Sequence, residues 1–121
     1  QVVSVGPESL RVRADDLEVA AAPRDPAPAP GARGTISVRP EVIRILEAGE
    51  APPPGASLVE GRVREITYLG AVRHYRVTLP SGRDLIVYQQ SGGVAPTPED
   101  APVRLAWPPG AAAFQPEPEG P

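Results

Sequence analysis

The chain has 121 residues and a formal net charge of −3, and this length suits one compact domain or two very small ones. Its 18 Pro and 12 Gly exclude long helices, because Pro breaks a helix and Gly weakens it. The absence of Cys excludes disulfides and thiol chemistry, the single His excludes a multi-histidine metal site, and the weak negative charge gives no general attraction to nucleic acid. No apolar run reaches the 18 residues of a membrane-spanning helix, and the absence of Met leads us to expect a piece of a longer protein.

The N-terminal part, 1–48, predicts a small β unit interrupted by a low-complexity loop. Alternating apolar residues predict short strands within 1–20. Residues 20–33 are rich in Pro and Ala and predict an extended surface loop. Alternation resumes after Gly34, and the run 42–46 is short and β-branched, which favours a strand or one turn leading into a strand.

The strongest strand signals lie between residues 57 and 108. The apolar phase within 58–69 slips near Arg64 and Glu65, which predicts a β-bulge or a sharp bend. A long first strand that bends in this way is what a small closed barrel needs in order to wrap around its own core. We therefore predict an all-β fold, an OB-like small β-barrel at 57–108 with the additional short β unit before it.

Three further strands complete the predicted barrel. Residues 72–79 alternate, and a Pro-Ser-Gly turn at 80–82 joins them to 85–88. The run 85–88 is apolar on both faces, so we predict that it lies centrally in the sheet. Alternating residues at 103–107 predict the last strand, and the Pro-rich segment 109–121 is expected to be a flexible tail.

The sequence contains no recognisable catalytic motif. A phosphate-binding loop of the G-x-x-x-x-G-K type is impossible without Lys, and G-x-S-x-G does not occur. A Ser-His-Asp set could form only around His74, whose neighbours include no carboxylate. The acidic pairs Asp15-Asp16 and Glu99-Asp100 would not converge on a strand, because adjacent residues point to opposite faces. We predict a chain that is not an enzyme, with no catalytic, cofactor-binding or metal-binding residues and no cofactor.

A single-stranded nucleic-acid interface is the alternative that the residues leave open. Between residues 60 and 84, five Arg outnumber three acidic residues, and two Tyr lie nearby; the basic residues are Arg62, Arg64, Arg73, Arg76 and Arg83. Binders of this fold place aromatic platforms in a basic groove. Tyr75, however, is in phase with the predicted core face. The pattern therefore favours a solvated, salt-bridged hairpin, and no nucleic-acid partner is expected.

The order of four short motifs resembles a known family. These motifs are GTISVRPE at 34–41, VEGRVREITYLG at 59–70, YRVTLPSGR at 75–83 and VRLAW at 103–107. They resemble the TOBE (transport-associated OB) domain, which forms the C-terminal part of the ATP-binding subunits of ABC importers; the spermidine/putrescine and iron(III) importers are the most similar. The resemblance covers most of residues 1–110.

The resemblance implies a non-catalytic regulatory and dimerisation module for solute import, with polyamine or iron as the solute. In such proteins the ATPase domain precedes the barrel, and two barrels pack across the ATPase dimer. The implied partners are a second ATPase subunit and membrane permease subunits. A small-molecule effector is allowed but not identified. The implied location is cytoplasmic, peripheral to the inner face of the plasma membrane in a bacterial parent complex.

The same resemblance marks a structural or interface motif consisting of Arg39, Pro40, Glu41, Tyr68, Leu69, Gly70 and Trp107. Pro40 removes a ladder donor, so Arg39 and Glu41 on either side of it can fix a strand crossing by hydrogen bonds. The alternative is that Arg39 holds an acidic group of a partner. Gly70 permits a tight turn, and the two residues before it would plug the barrel end or face a second subunit. Trp107 is predicted to anchor the core or an interface.

Overall fold

The computed structural model describes residues 2–6, 9–14, 17–24, 27–92 and 95–117. Nearly all of the regular structure in these ranges is β, in strands β1 (Val2–Val5), β2 (Leu10–Ala14), β3 (Leu17–Ala21), β4 (Gly34–Val38), β5 (Arg44–Leu46), β6 (Ser57–Leu69), β7 (Val72–Thr78), β8 (Asp84–Gln90), β9 (Pro102–Trp107) and β10 (Ala112–Pro116). Two 3-10 turns, at Pro40–Val42 and Pro109–Ala111, are the helical elements of the described ranges. No helix in those ranges is long and apolar enough to cross a membrane. The all-β prediction is confirmed.

The strands form three antiparallel sheets. One sheet has the order β1-β2-β3, a second pairs β10 with β4, and the third has the order β5-β9-β6-β7-β8. Strands of the predicted N-terminal unit therefore share sheets with later strands, since β4 pairs with β10 and β5 pairs with β9. The predicted division at residue 48 does not coincide with a boundary between sheets.

Strand β6 bends where the sequence predicts it. Its first half pairs with β9 over 57–62 and its second half pairs with β7, with a register shift between Val63 and Glu65. At the bend, the Val63 N–H donates to the Ala101 carbonyl (3.0 Å) and the Asp100 N–H donates to the Val63 carbonyl (2.7 Å). One strand can thus pair with two partners in different directions, as a barrel requires.

The core is one continuous apolar cluster that all three sheets share. It includes Leu10 of the first sheet, Phe114 of the second, and Tyr75, Val77 and Leu105 of the third. The alternation of β7 places Tyr75 and Val77 on the buried face, as predicted. Because a single core joins the sheets, the short N-terminal strands do not have to bury an apolar face alone.

The five-stranded sheet does not close into the barrel that the sequence predicts. Strands β5 and β8 are the two edges of the five-stranded sheet and do not pair with each other. The prediction that 85–88 lies centrally is therefore also wrong, because β8 is an edge strand. The reason lies in the 3-10 turn Pro40–Val42, which packs against β8 where a pairing strand would run. Its first residue, Pro40, has no N–H to donate to a ladder.

The expectation that residues 109–121 form a flexible tail is wrong for residues 109–117. Residues 109–117 form the second 3-10 turn and then β10, whose Phe114 is 1% exposed. Burial of the only Phe in the chain holds this segment down. The Arg24 Nη1 donates to the Phe114 carbonyl (3.0 Å), which also ties the Pro/Ala-rich loop 20–33 to β10. Residues 118–121 lie outside the described residues.

Candidate functional site

The motif Arg39-Pro40-Glu41 lies in the gap between the two sheet edges. Arg39 precedes the 3-10 turn; its N–H donates to the Ala111 carbonyl (3.2 Å) and its Nη2 donates to the Gly110 carbonyl (3.1 Å). Glu41 is exposed and forms no hydrogen bond or ion pair with another described residue. Arg39 therefore ties the first 3-10 turn to the second, whereas Glu41 faces solvent.

This turn divides the gap into two cavities, and the first of them is acidic. It has a volume of about 830 Å³ and lies between β5 and β8, with Glu41, Arg44, Glu47 and Glu50 in its wall. The Arg44 Nη2 approaches Glu50 Oε2 at 2.8 Å. The Glu47 backbone N–H, which donates to Glu50 Oε1, and the Arg44 guanidinium lower the pKa of the Glu50 carboxyl. These pairs hold the rim of the cavity together.

The second cavity has a volume of about 600 Å³ and lies between β4 and β8. Every residue of β4 contributes to its wall, as do residues 83–86, Pro40 and Trp107. Trp107 is buried, and its indole N–H has no hydrogen-bond partner among the described residues. The structure thus brings two predicted motif residues, Pro40 and Trp107, to one cavity.

The motif Tyr68-Leu69-Gly70 lies elsewhere, at the tip of the β6–β7 hairpin. Tyr68 is 64% exposed and Leu69 is 53% exposed, so neither side chain is enclosed in the barrel. Gly70 adopts a positive φ of 71°, which the tight turn requires. The Ser91 Oγ donates to the Gly70 carbonyl (2.9 Å) and fixes the turn. We call Tyr68–Gly70 the hairpin tip.

Apolar surface continues from the hairpin tip along the outer face of the sheet. The registers place Thr67, His74 and Tyr88 side by side on β6, β7 and β8. The rings of His74 and Tyr88 stack with centroids 3.9 Å apart. Tyr88 and Ile86 are both partly exposed on this face.

The predicted basic residues are engaged within the fold. Arg64 pairs with Asp100 (3.4 Å), and Arg76 pairs with both Glu65 (3.4 Å) and Asp84 (3.2 Å). A hydrogen bond from the Thr78 hydroxyl and the nearby Arg76 guanidinium lower the pKa of the Asp84 carboxyl. This surface is the salt-bridged hairpin that the charge pattern favours.

Sequence reasoning missed a buried polar network around Arg73, which is 2% exposed. Its guanidinium donates to the Tyr75 hydroxyl (3.2 Å) and the Ser91 carbonyl (3.0 Å). The Tyr75 hydroxyl donates to Gln89 Oε1 (2.9 Å) and accepts from the Thr97 N–H (3.2 Å). The period of two that places Tyr75 inside also places Arg73 inside, so the alternation contained the signal.

These features define the class of protein. The described residues contain no group of three or more His, Cys, Asp or Glu that could hold a metal ion. Their polar clusters stabilise turns and the sheet, while most of the exposed large apolar side chains lie on the hairpin tip and the outer face. The molecule is a small, OB-like all-β module.

Comparison with known proteins gives the family. The model of the TOBE domain family matches residues 36–114, from β4 to β10. The chain belongs to the TOBE domain family, and it is a non-catalytic, transporter-associated module.

Two of the similar curated proteins are spermidine/putrescine import ATP-binding proteins named PotA. The protein from Thermobifida fusca is 40% identical over 76 residues, which are 61% of this chain and 19% of that protein. The protein from Acidothermus cellulolyticus is 37% identical over 108 residues, which are 86% of this chain and 27% of that protein. The chain thus spans about a fifth to a quarter of the relatives that it matches.

Among solved structures, the chain is similar to the cytoplasmic molybdate-binding protein ModG with molybdate bound. The TM-score is 0.77 over 93% of this chain and 90% of that chain, at 13% sequence identity. This likeness supports the OB-like fold.

Proposed function

We propose that the chain is the C-terminal accessory module of an ABC importer's ATP-binding subunit, where it helps to hold two such subunits together. The observation that carries the proposal is the TOBE match over 36–114 together with the polyamine import ATP-binding proteins among its relatives. Polyamine is the proposed solute class. The same proposal implies membrane permease subunits as partners and a cytoplasmic position at the inner face of a bacterial plasma membrane.

The proposed contact surface is the hairpin tip. Burial of a large apolar side chain contributes about 1.5–3 kcal/mol, so Tyr68 and Leu69 could together contribute a few kcal/mol in each copy. A contribution of this size supports the association of subunits that must also open and close. No reactive group is needed for such a role.

Analytical ultracentrifugation of the chain at several concentrations tests the proposal. We expect concentration-dependent self-association that weakens in the double variant Tyr68→Ser/Leu69→Ser. Leu58→Ser is the matched control, because Leu58 is 42% exposed on the same strand but far from the hairpin tip in sequence. A chain that stays monomeric at every concentration would contradict the role, and so would equal effects of the control and the double variant.

The nucleic-acid alternative has less support from the geometry. Arg64 and Arg76 are paired with carboxylates, and the ring of Tyr75 is buried instead of offering a stacking surface. A gel-shift experiment with single-stranded DNA separates the two functions. Binding that falls steeply between low and moderate salt would favour the nucleic-acid role, whereas no binding at any salt agrees with the accessory module.

A further inference from the structure

The hairpin tip has no buried side chain of its own. Its three residues are all exposed, as are Thr67 before it and Ala71 after it, and Gly70 has no side chain that could pack. Beyond Val63, strand β6 pairs with β7 alone among the described strands. A segment with few buried apolar contacts opens at a low cost in free energy. The direction in which the tip projects therefore depends on hydrogen bonds from outside the hairpin.

Ser91, the residue that follows β8, supplies two such hydrogen bonds. Its N–H donates to the Ala71 carbonyl (2.9 Å), and its Oγ donates to the Gly70 carbonyl (2.9 Å). Because the two donors of one residue reach two adjacent carbonyls of the turn, they fix the orientation of the turn as well as its position. The second bond requires a side-chain hydroxyl, so alanine could not replace Ser91 in this role.

Ser91 is in turn anchored to the core. Its carbonyl accepts a hydrogen bond from Arg73 Nη2 (3.0 Å), and Arg73 is buried. The same guanidinium donates through Nη1 to the hydroxyl of Tyr75 (3.2 Å), which is also buried. A planar guanidinium holds its donors in a rigid fork. The Ser91 carbonyl therefore has a defined position relative to the buried ring of Tyr75.

The Tyr75 hydroxyl is held from three sides. It accepts hydrogen bonds from Arg73 Nη1 and from the Thr97 N–H (3.2 Å), and it donates to Gln89 Oε1 (2.9 Å). These bonds use the one donor and both acceptor sites of the hydroxyl. Buried polar networks that are satisfied in this way are rigid. The anchor beneath Ser91 is therefore rigid, although the tip that Ser91 holds is exposed.

We propose that Ser91 is a positioning residue for the contact between two copies of the chain: it holds the hairpin tip in the geometry in which Tyr68 and Leu69 meet a second copy. The inference rests on the function proposed above, because it concerns the same contact surface. Its physical basis is preorganisation. A surface that is already ordered in the free chain loses less conformational entropy on association, so the same contacts bind more tightly.

Three serine variants of the whole chain test the proposal by hydrogen exchange. Ser91→Ala removes the bond to the Gly70 carbonyl, and Ser91→Thr keeps a hydroxyl. The matched control is Ser81→Ala at the other end of β7, where the Ser81 Oγ accepts from the Arg83 N–H (3.4 Å). The amide of residue 91 donates to the Ala71 carbonyl and reports on opening of the tip. Its protection factor should fall about two- to tenfold in Ser91→Ala, which is the effect of losing one hydrogen bond, and stay within about twofold in the other two variants.

Sedimentation at several concentrations then measures the effect on association. We expect Ser91→Ala to raise the dissociation constant of the dimer at least about twofold, because the tip must be ordered in both copies at once. Ser91→Thr and Ser81→Ala should match the unmodified chain. Rescue by threonine distinguishes positioning by the hydroxyl from a general loss of stability.

The outcomes separate this inference from the function on which it rests. An unmodified chain that stays monomeric at every concentration would contradict the proposed function and remove the contact that Ser91 serves. If the unmodified chain associates, a dissociation constant that Ser91→Ala leaves unchanged would overturn the inference alone. An unchanged protection factor at residue 91, or a loss of association that Ser91→Thr shares, would overturn it as well.

Discussion

The substitution Gly34→Ala should destabilise the fold by separating β10 from β4. A Cβ at this position would overlap the Gln115 carbonyl oxygen and lie 2.8 Å from the ring of Phe114. A backbone atom cannot move away without breaking the β4–β10 ladder. Overpacking alone costs about 1–3 kcal/mol. If β10 detaches and Phe114 loses its burial, the cost approaches that of a Phe→Ala truncation, about 3–5 kcal/mol.

Urea unfolding followed by Trp107 fluorescence measures this cost, because Trp107 is buried in the folded state. Gly110→Ala is the matched control: its Cβ would have no atom within 4 Å, and the residue needs no positive φ. We expect the control to be neutral or to stabilise by up to about 1 kcal/mol, because Ala restricts the unfolded chain. A Gly34→Ala variant within about 0.5 kcal/mol of the unmodified chain would refute the reasoning.

Three further predictions concern the core and the charges. Gly61→Ala would bring a Cβ to 2.6 Å from Val77 Cγ1 and should cost about 1–3 kcal/mol, seen as a lower urea midpoint. Phe114→Ala should cost about 3–5 kcal/mol by calorimetry, whereas a flexible tail would cost nothing. Because folding lowers the pKa of Asp84, through the bond from Thr78 first, its stabilising effect is present above the ordinary pKa and is lost as the pH falls below about 4. Urea midpoints between pH 7 and pH 3 should therefore fall less in Asp84→Asn than in the unmodified chain.

The sequence predicts the elements that obey a local rule. Strand β7 alternates strictly, so its buried face could be derived from Tyr75 and Val77 alone. The bend of β6 is visible as a slip in the apolar phase, because a bulge moves the inward position by one residue. The turn into β5 follows from Pro40, which fixes its own φ and cannot join a ladder.

Features that depend on contacts between distant residues could not be derived in this way. Strand β10 consists of Ala, Phe, Gln and Pro, a weak β pattern, and it forms because Phe114 fits against Gly34, 80 residues earlier. The position of β8 at an edge also depends on a contact between distant residues, because the turn Pro40–Val42 packs against this strand. Its apolar residues on both faces resemble those of a central strand, but Ile86 and Tyr88 face outward beside His74 and not toward another layer.

Pro40 connects the sequence to the open side of the five-stranded sheet. Pro40 blocks the pairing that would close the sheet, and the turn that it begins fills only the middle of the gap beside β8. The barrel keeps its shape through side-chain packing around one core. A sheet that closed completely would have no unpaired edge. The exposed side chains of Tyr68 and Leu69 at the hairpin tip are available for the proposed contact between subunits.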